Sequence, residues 1–294
     1  MNGPWAPILP LAAALLYAAA ALSLKRSAEL GAGLWHSAFV SNLLTALAFQ
    51  GLLIFGGRWQ PLALWWQPLV AAILFLCGQV WTLVSLQRGD VSIATPVLGL
   101  KIILVASFTT LLLGQGVSWQ LWLAAALCTC GLACLNHSGA HREGAKATAT
   151  ILSAGVAAAS FALFDVLVQE WSPAWGIGRF LPLTIGLVGL LSFGLVPLFP
   201  SPLGSLPRPA WHWLGFGGGL FAVQALLFIS GIALFGGATA SNVIYSSRGV
   251  WSIVGVALVG HWFHSAETDL GASVLRWRLF GATLMFTGII LVLV

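Results

Sequence analysis

Lys101, Asp165 and Arg248 each fall inside a long apolar run of the chain. A lysine or arginine at the centre of a membrane helix costs about 2.5–3.5 kcal/mol on insertion scales. Lys101 is the eleventh residue of the run 91–113, and Arg248 is the eleventh of 238–260. Each therefore lies roughly 15 Å from either end of its run, at about 1.5 Å of rise per residue. A lysine stem only about 6 Å long cannot carry its ammonium to the interface. Both cations must face protein or a water-filled cavity. Two chemistries fit. Asp165, about 8 Å off the centre of the run 149–171, can neutralise one cation as a buried pair. One carboxylate cannot serve two cations, so a surplus positive charge can instead attract a carboxylate or phosphate. Asp165 can also serve as a site for a coupling proton. Arg179 is a further candidate for burial.

Polar and aromatic residues cluster near the two cations in sequence. Pro96 lacks an amide donor and clashes with the carbonyl of Ser92, so the helix is expected to bend or open one turn before Lys101. Backbone groups freed at that depth need protein or water to satisfy them. The run around Arg248 offers Asn242, Ser246, Ser247 and Gly249. Interhelical hydrogen bonding is the alternative role for these small polar residues. Tyr17, Trp81, Phe161, Tyr245 and Trp251 lie deep in their runs and are candidate cavity walls; packing against other helices or lipid is the alternative. Gln79 and Gln224 are costly in lipid and should face inward, and His36 is a weaker cavity candidate.

Other chemistries find no support. There is no H-E-x-x-H motif, no serine-nucleophile motif and no pair of carboxylates, so an enzyme is not indicated. His261 and His264 stand three apart, but at a run's end, which makes a poor metal site. Cys77, Cys128, Cys130 and Cys134 lack C-x-x-C spacing. No metal, cofactor or disulfide framework is expected. A net charge of +5 does not indicate nucleic acid, because the basic residues mostly lie between the apolar runs, where they orient helices.

The elements that must hold these residues are membrane helices. The chain has 294 residues, 59% hydrophobic and 6% charged, against about 25% charged in soluble domains. Runs of about 20 apolar residues suffice to cross a hydrocarbon core. The breaks divide the chain into ten candidate spans: 5–25, 33–56, 67–87, 91–113, 118–136, 149–171, 176–199, 211–233, 238–260 and 275–294. The first has no basic residue before it, so it reads as a membrane helix and not a signal peptide. Tryptophans at run ends (Trp5, Trp59, Trp65, Trp66, Trp119, Trp171, Trp175, Trp211, Trp213 and Trp277) read as interfacial belts. The polar stretch "NHSGAHREGAKAT" marks a linker at 139–148 between a first half, 1–138, and a second, 149–294.

The halves are similar in register. "YAAAALSLKR" from Tyr17 parallels "FALFDVLVQE" from Phe161, and "RGDVSIATPVLGLKIILVA" parallels "FGGATASNVIYSSRGVWSIVG". That alignment sets Lys101 opposite Arg248. Five spans per half is an odd number, so the second half enters the membrane inverted. Secondary transporters are often built this way, with the binding site at the midplane between repeats.

Ten spans as five plus five, with "SLQRGDVSIATPVLGL" leading into the fourth, resemble the EamA-type branch of the drug/metabolite transporter superfamily. The aromatic-rich character is similar to its bacterial aromatic amino-acid exporters. The resemblance implies alternating-access export of small metabolites, most plausibly aromatic or hydrophobic amino acids, from an inner (plasma) membrane. Sugar-phosphate translocators, also similar in placing basic residues in helices four and nine, make an organic anion or sugar phosphate the alternative cargo. The first run lacks the glutamate by which small multidrug exporters bind cations. The implied partners are a small-molecule substrate, the lipid bilayer and a proton as coupling ion, with the chain a monomer; Gly215 and Gly219 alone do not indicate a dimer. Lys25, Arg26, Arg88, Arg142, Lys146, Arg208, Arg276 and Arg278 fall in odd-numbered loops, against Arg58 and Arg179 in even ones. The positive-inside rule then puts both termini outside, whereas the resemblance implies cytoplasmic termini.

Overall fold

The computed structural model describes residues 6–88, 91–135, 144–259 and 272–293. Twelve α-helices run through them: α1 (Ile8–Glu29), α2 (Leu34–Gln50), α3 (Trp66–Arg88), α4 (Val91–Gly99), α5 (Lys101–Leu113), α6 (Trp119–Leu135), α7 (Gly144–Trp175), α8 (Ile177–Leu191), α9 (Arg208–Phe235), α10 (Ala238–Tyr245), α11 (Arg248–Val259) and α12 (Ala272–Leu293). Eight helical stretches are long and apolar enough to cross a membrane, with α4 and α5 counting as one. The shorter α6 and the broken α10–α11 pair bring the described membrane segments to ten. The chain is an all-α, polytopic membrane protein.

Several helices outrun their apolar cores. α1 continues through Lys25 and Arg26 to Glu29, where Arg26 and Glu29 pair at 2.8 Å. α7 begins at Gly144, inside the expected linker, because "GAKATAT" is rich in good helix formers. The rest of that linker, together with His261 and His264, lies outside the described residues. α2 and α8 both end in 3₁₀ turns, over Gly51–Phe55 and Ser192–Leu198.

The helix contacts follow an exchange pattern. α1 packs on α9 and α3 on α7; α6 lies along α12; and α2 meets α8. The broken α4–α5 segment packs on α7, and the broken α10–α11 segment packs on α1. The main apolar core between them includes Phe75, Phe164, Phe180, Ile229 and Tyr245. Close approach is made by glycine. A Cβ on Gly178 would collide with the carbonyls of Leu52 and Gly56, so α8 and the end of α2 meet backbone to backbone.

Two sequence expectations change here. Trp175 is no part of an interfacial belt: it is 0% exposed, and its indole Nε1 donates to Gln67 Oε1 at 2.8 Å. The Arg58 amide donates to its carbonyl at 2.8 Å, folding the loop after α2 over it. Trp59, Trp65, Trp66, Trp119, Trp211 and Trp277 are exposed, as belts require. His36 does not face a cavity. Its Nδ1 accepts from the Gly33 amide at 3.1 Å, which leaves Nε2 to donate to the Ser201 carbonyl at 2.7 Å. It caps α2 and pins the loop before α9 to it.

Candidate functional site

Both central cations begin a helix. The fourth membrane segment is interrupted at Leu100, directly before Lys101, and the ninth at Ser246 and Ser247, directly before Arg248. Around each interruption the backbone shifts to tighter hydrogen bonds: Leu100 N donates to Val97 O at 3.0 Å, and Ser247 N to Ile244 O at 3.2 Å. The first break comes four residues after Pro96, which itself lies within α4. The Gly99 carbonyl is met by Thr129 Oγ1 at 3.2 Å, and Ser246 Oγ donates to Val243 O at 2.6 Å. Freed backbone groups are thus taken up by hydroxyls, as burial in an apolar setting requires.

α7 holds the two broken segments together. Phe161, Asp165 and Gln169 recur every four residues and so share one helix face. Lys101 Nζ lies 2.7 Å from Asp165 Oδ2 and 5.6 Å from the Phe161 ring centroid. Asn242 Nδ2, from α10, donates to the same carboxylate oxygen at 2.7 Å and to the Ala238 carbonyl at 2.9 Å. Gln169 accepts from the Ala238 amide at 2.6 Å, where α10 starts, and donates to Gln115 beyond α5 at 2.9 Å. Asp165 is 2% exposed, and the Lys101 side chain 16%. A buried, hydrogen-bonded pair of this kind needs good geometry to offset its desolvation.

Arg248 has a different environment. No carboxylate lies in ion-pair range of it among the described residues. Its guanidinium carbon is instead 4.6 Å from the ring centroids of both Tyr17 and Tyr245, which stand edge to face 6.1 Å apart. Cation–π contacts are worth up to about 2 kcal/mol each when desolvated. They hold the cation without neutralising it. Tyr245 donates its hydroxyl to Gln224 at 2.7 Å and stacks on Phe228 at 4.3 Å. Phe228 in turn lies 5.3 Å from Lys101 Nζ, which makes one continuous group of the two cations and their aromatics. Two buried donors within three residues of Arg248 in the chain have no partner among the described residues: the indole Nε1 of Trp251 and the hydroxyl of Ser247.

The expected site residues divide accordingly. Lys101, Arg248, Tyr17, Phe161, Tyr245 and Asp165 come together, with Ser246 at the break and Trp251 one turn beyond Arg248. Gln79 is engaged elsewhere, in a reciprocal amide pair with Asn42 at 2.7 and 3.0 Å; Asn42 also donates to Ser192 at 2.7 Å. Trp81 is 40% exposed and shares no ring contact with the group. Arg179 stacks on Trp59 at 4.9 Å, near the loop after α2. Phe228 and Gln169 were not anticipated. Nothing marks Phe228 out among the apolar residues of its helix, but Gln169 was legible as the last member of a four-residue stripe.

Fold and site together define a multi-pass membrane protein with a charged, aromatic centre where two broken helices meet. The EamA-like transporter family model matches residues 4–137. Over those residues the chain is similar to the EamA-like transporters, a family of membrane transporters. A solved crystal structure superposes with a TM-score of 0.72 at 17% identity, covering 97% of this chain and 95% of that one, and so shares its fold. No curated protein matches the sequence.

Proposed function

We propose that the chain is a secondary transporter whose cargo carries a carboxylate on an apolar, aromatic body. It works by alternating access between two inverted halves, 1–138 and 149–294. Aromatic and hydrophobic amino acids fit that description, as do aromatic organic acids, and export from the cell across its inner membrane is the direction we infer. The observation that carries the reading is Arg248: a central cation with aromatic neighbours and no carboxylate partner among the described residues. An anionic group placed there offsets a charge the protein leaves open.

The exchange pattern of helix contacts supports the inverted repeat, as do the two helices broken at matching positions. Discontinuous helices at the midplane are a recurrent way to build transporter sites. Tyr17, Phe161, Tyr245 and Trp251 form the apolar wall of the site, with Lys101 held in its ion pair. A phosphate dianion is the weaker fit, since one of the two cations is already paired. The positive-inside count places the odd-numbered loops in the cytoplasm.

The test is counterflow in proteoliposomes, with labelled phenylalanine and tryptophan as cargo and phosphate esters as competitors. Accumulation that is lost in Arg248→Ala, while the variant remains folded, is the expected result. Normal transport by Arg248→Ala and by Lys101→Ala would overturn the reading.

A further inference from the structure

Each of the two cations sits over an aromatic ring of the first helix of the other half. Lys101 sits over Phe161, from the helix that opens the second half; Arg248 sits over Tyr17, from the helix that opens the first. Aligning "FALFDVLVQE" with "YAAAALSLKR" sets Phe161 on Tyr17 and Asp165 on Ala21. Each aromatic shares its helix face with the residue four positions on, which in the second half is Asp165, the partner of Lys101, and by the alignment is Ala21 in the first. In one half that position is a carboxylate, and in the other it is a methyl group. The pairing of Lys101 with Asp165 thus has no counterpart at Arg248 among the described residues.

The charge count that results is Lys101 plus Arg248 minus Asp165, a net single positive charge. The one other carboxylate inside a described span, Glu170, is exposed near the end of α7. The chain has seven Asp and Glu residues; apart from Asp165 and Glu170 they are Glu29, at the end of α1, and Asp90, Glu143, Glu267 and Asp269, which fall between the apolar runs of the sequence. Asp165 itself is already shared by Lys101 and Asn242. A ligand ammonium entering this centre would meet two cations and no free carboxylate. Resting on the carboxylate reading above, we propose that the site selects a monoanion: an aromatic monocarboxylate in preference both to the zwitterionic amino acid of the same shape and to a dianionic phosphate ester. A monoanion brings the centre to zero, a zwitterion leaves it at plus one, and a dianion takes it to minus one. In a desolvated setting each residual charge is costly. The unpartnered Trp251 Nε1 and Ser247 hydroxyl supply neutral hydrogen bonds for the second carboxylate oxygen.

Isothermal titration of the full chain in nanodiscs tests this with four probes of similar shape: 3-phenylpropionate, phenylalanine, benzyl phosphate and phenethylamine. 3-Phenylpropionate is expected to bind at least about tenfold tighter than the other three, which corresponds to about 1.4 kcal/mol. Ala21→Asp supplies the missing counter-ion and is expected to reduce 3-phenylpropionate binding by about tenfold or more, with thermal stability kept or raised. Ala21→Asn, of similar size but neutral, is expected to leave most of the affinity. Binding of phenylalanine as tight as 3-phenylpropionate, still dependent on Arg248, would overturn the monoanion proposal and leave the carboxylate reading standing. Binding indifferent to Arg248→Gln, or no binding by any carboxylate probe, would overturn both. Equal losses in Ala21→Asp and Ala21→Asn would assign the effect to size and also overturn the proposal.

Discussion

Asp165 holds Lys101 at 2.7 Å while accepting a second bond from Asn242, so one carboxylate ties the start of α5 to α10. Both broken membrane segments are thereby anchored to a single helix, α7, from the other side of the centre. Removing either partner of a buried pair leaves a naked charge, which typically costs about 3–5 kcal/mol. Asp165→Ala is expected to show a loss of that order in SDS unfolding titrations. The double variant Lys101→Met with Asp165→Leu is expected to recover most of it. Equal losses in the single and double variants would contradict this role for the pair.

His36 acts through stability and not through cargo. Its ring joins the Gly33 amide to the Ser201 carbonyl, and removing it leaves a half-buried amide and carbonyl without that partner. The loss in His36→Ala is expected to be about 1–3 kcal/mol, read as a lower midpoint of thermal unfolding. Transport by the protein that remains folded is expected to match the parent.

The amide pair of Asn42 and Gln79 joins α2 to α3, and the bond to Ser192 extends it to the end of α8. Polar contacts between membrane helices average about 0.6 kcal/mol and reach about 1.7. A double-mutant cycle of Asn42→Ala and Gln79→Ala is expected to give a coupling energy of about 1 kcal/mol. Additive single effects would show that the pair contributes nothing.

Gly178 stands where α8 crosses the end of α2, with two carbonyls in the space of its missing Cβ. Gly178→Ala forces the helices apart and is expected to lower stability by about 1–3 kcal/mol. Gly155 has nothing within 4 Å of the same position. Gly155→Ala is expected to be neutral or slightly stabilising, which makes it the matched control in the same unfolding assay.

The depth of Lys101 and Arg248 was legible in the sequence because only two cations fall mid-run, and counting residues gives their distance from either surface. Pro96 foretold a weakness in the fourth segment, though the break appears at Leu100, because a missing amide and its clash disturb a whole turn and not one residue. Which cation Asp165 pairs with was not legible. Its reach allowed either, and the choice depends on how α7 packs against α5. Trp175 and His36 were misread for a related reason: both lie at helix ends, where a loop folding back buried Trp175, expected in an interfacial belt, and engaged His36, expected at a cavity. Gln79 was correctly expected to avoid lipid, but its partner on another helix could not be named from one sequence.

The central claim is that Arg248, and not the Lys101–Asp165 pair, receives the anionic group of the cargo. Counterflow of labelled tryptophan into proteoliposomes, compared for the parent chain, Arg248→Gln and the Lys101→Met/Asp165→Leu double variant, tests it most directly. The expected result is at least about a tenfold loss for Arg248→Gln, equivalent to about 1.4 kcal/mol, with the double variant within about threefold of the parent, or about 0.7 kcal/mol. Full transport by Arg248→Gln, or a loss confined to the double variant, would contradict it.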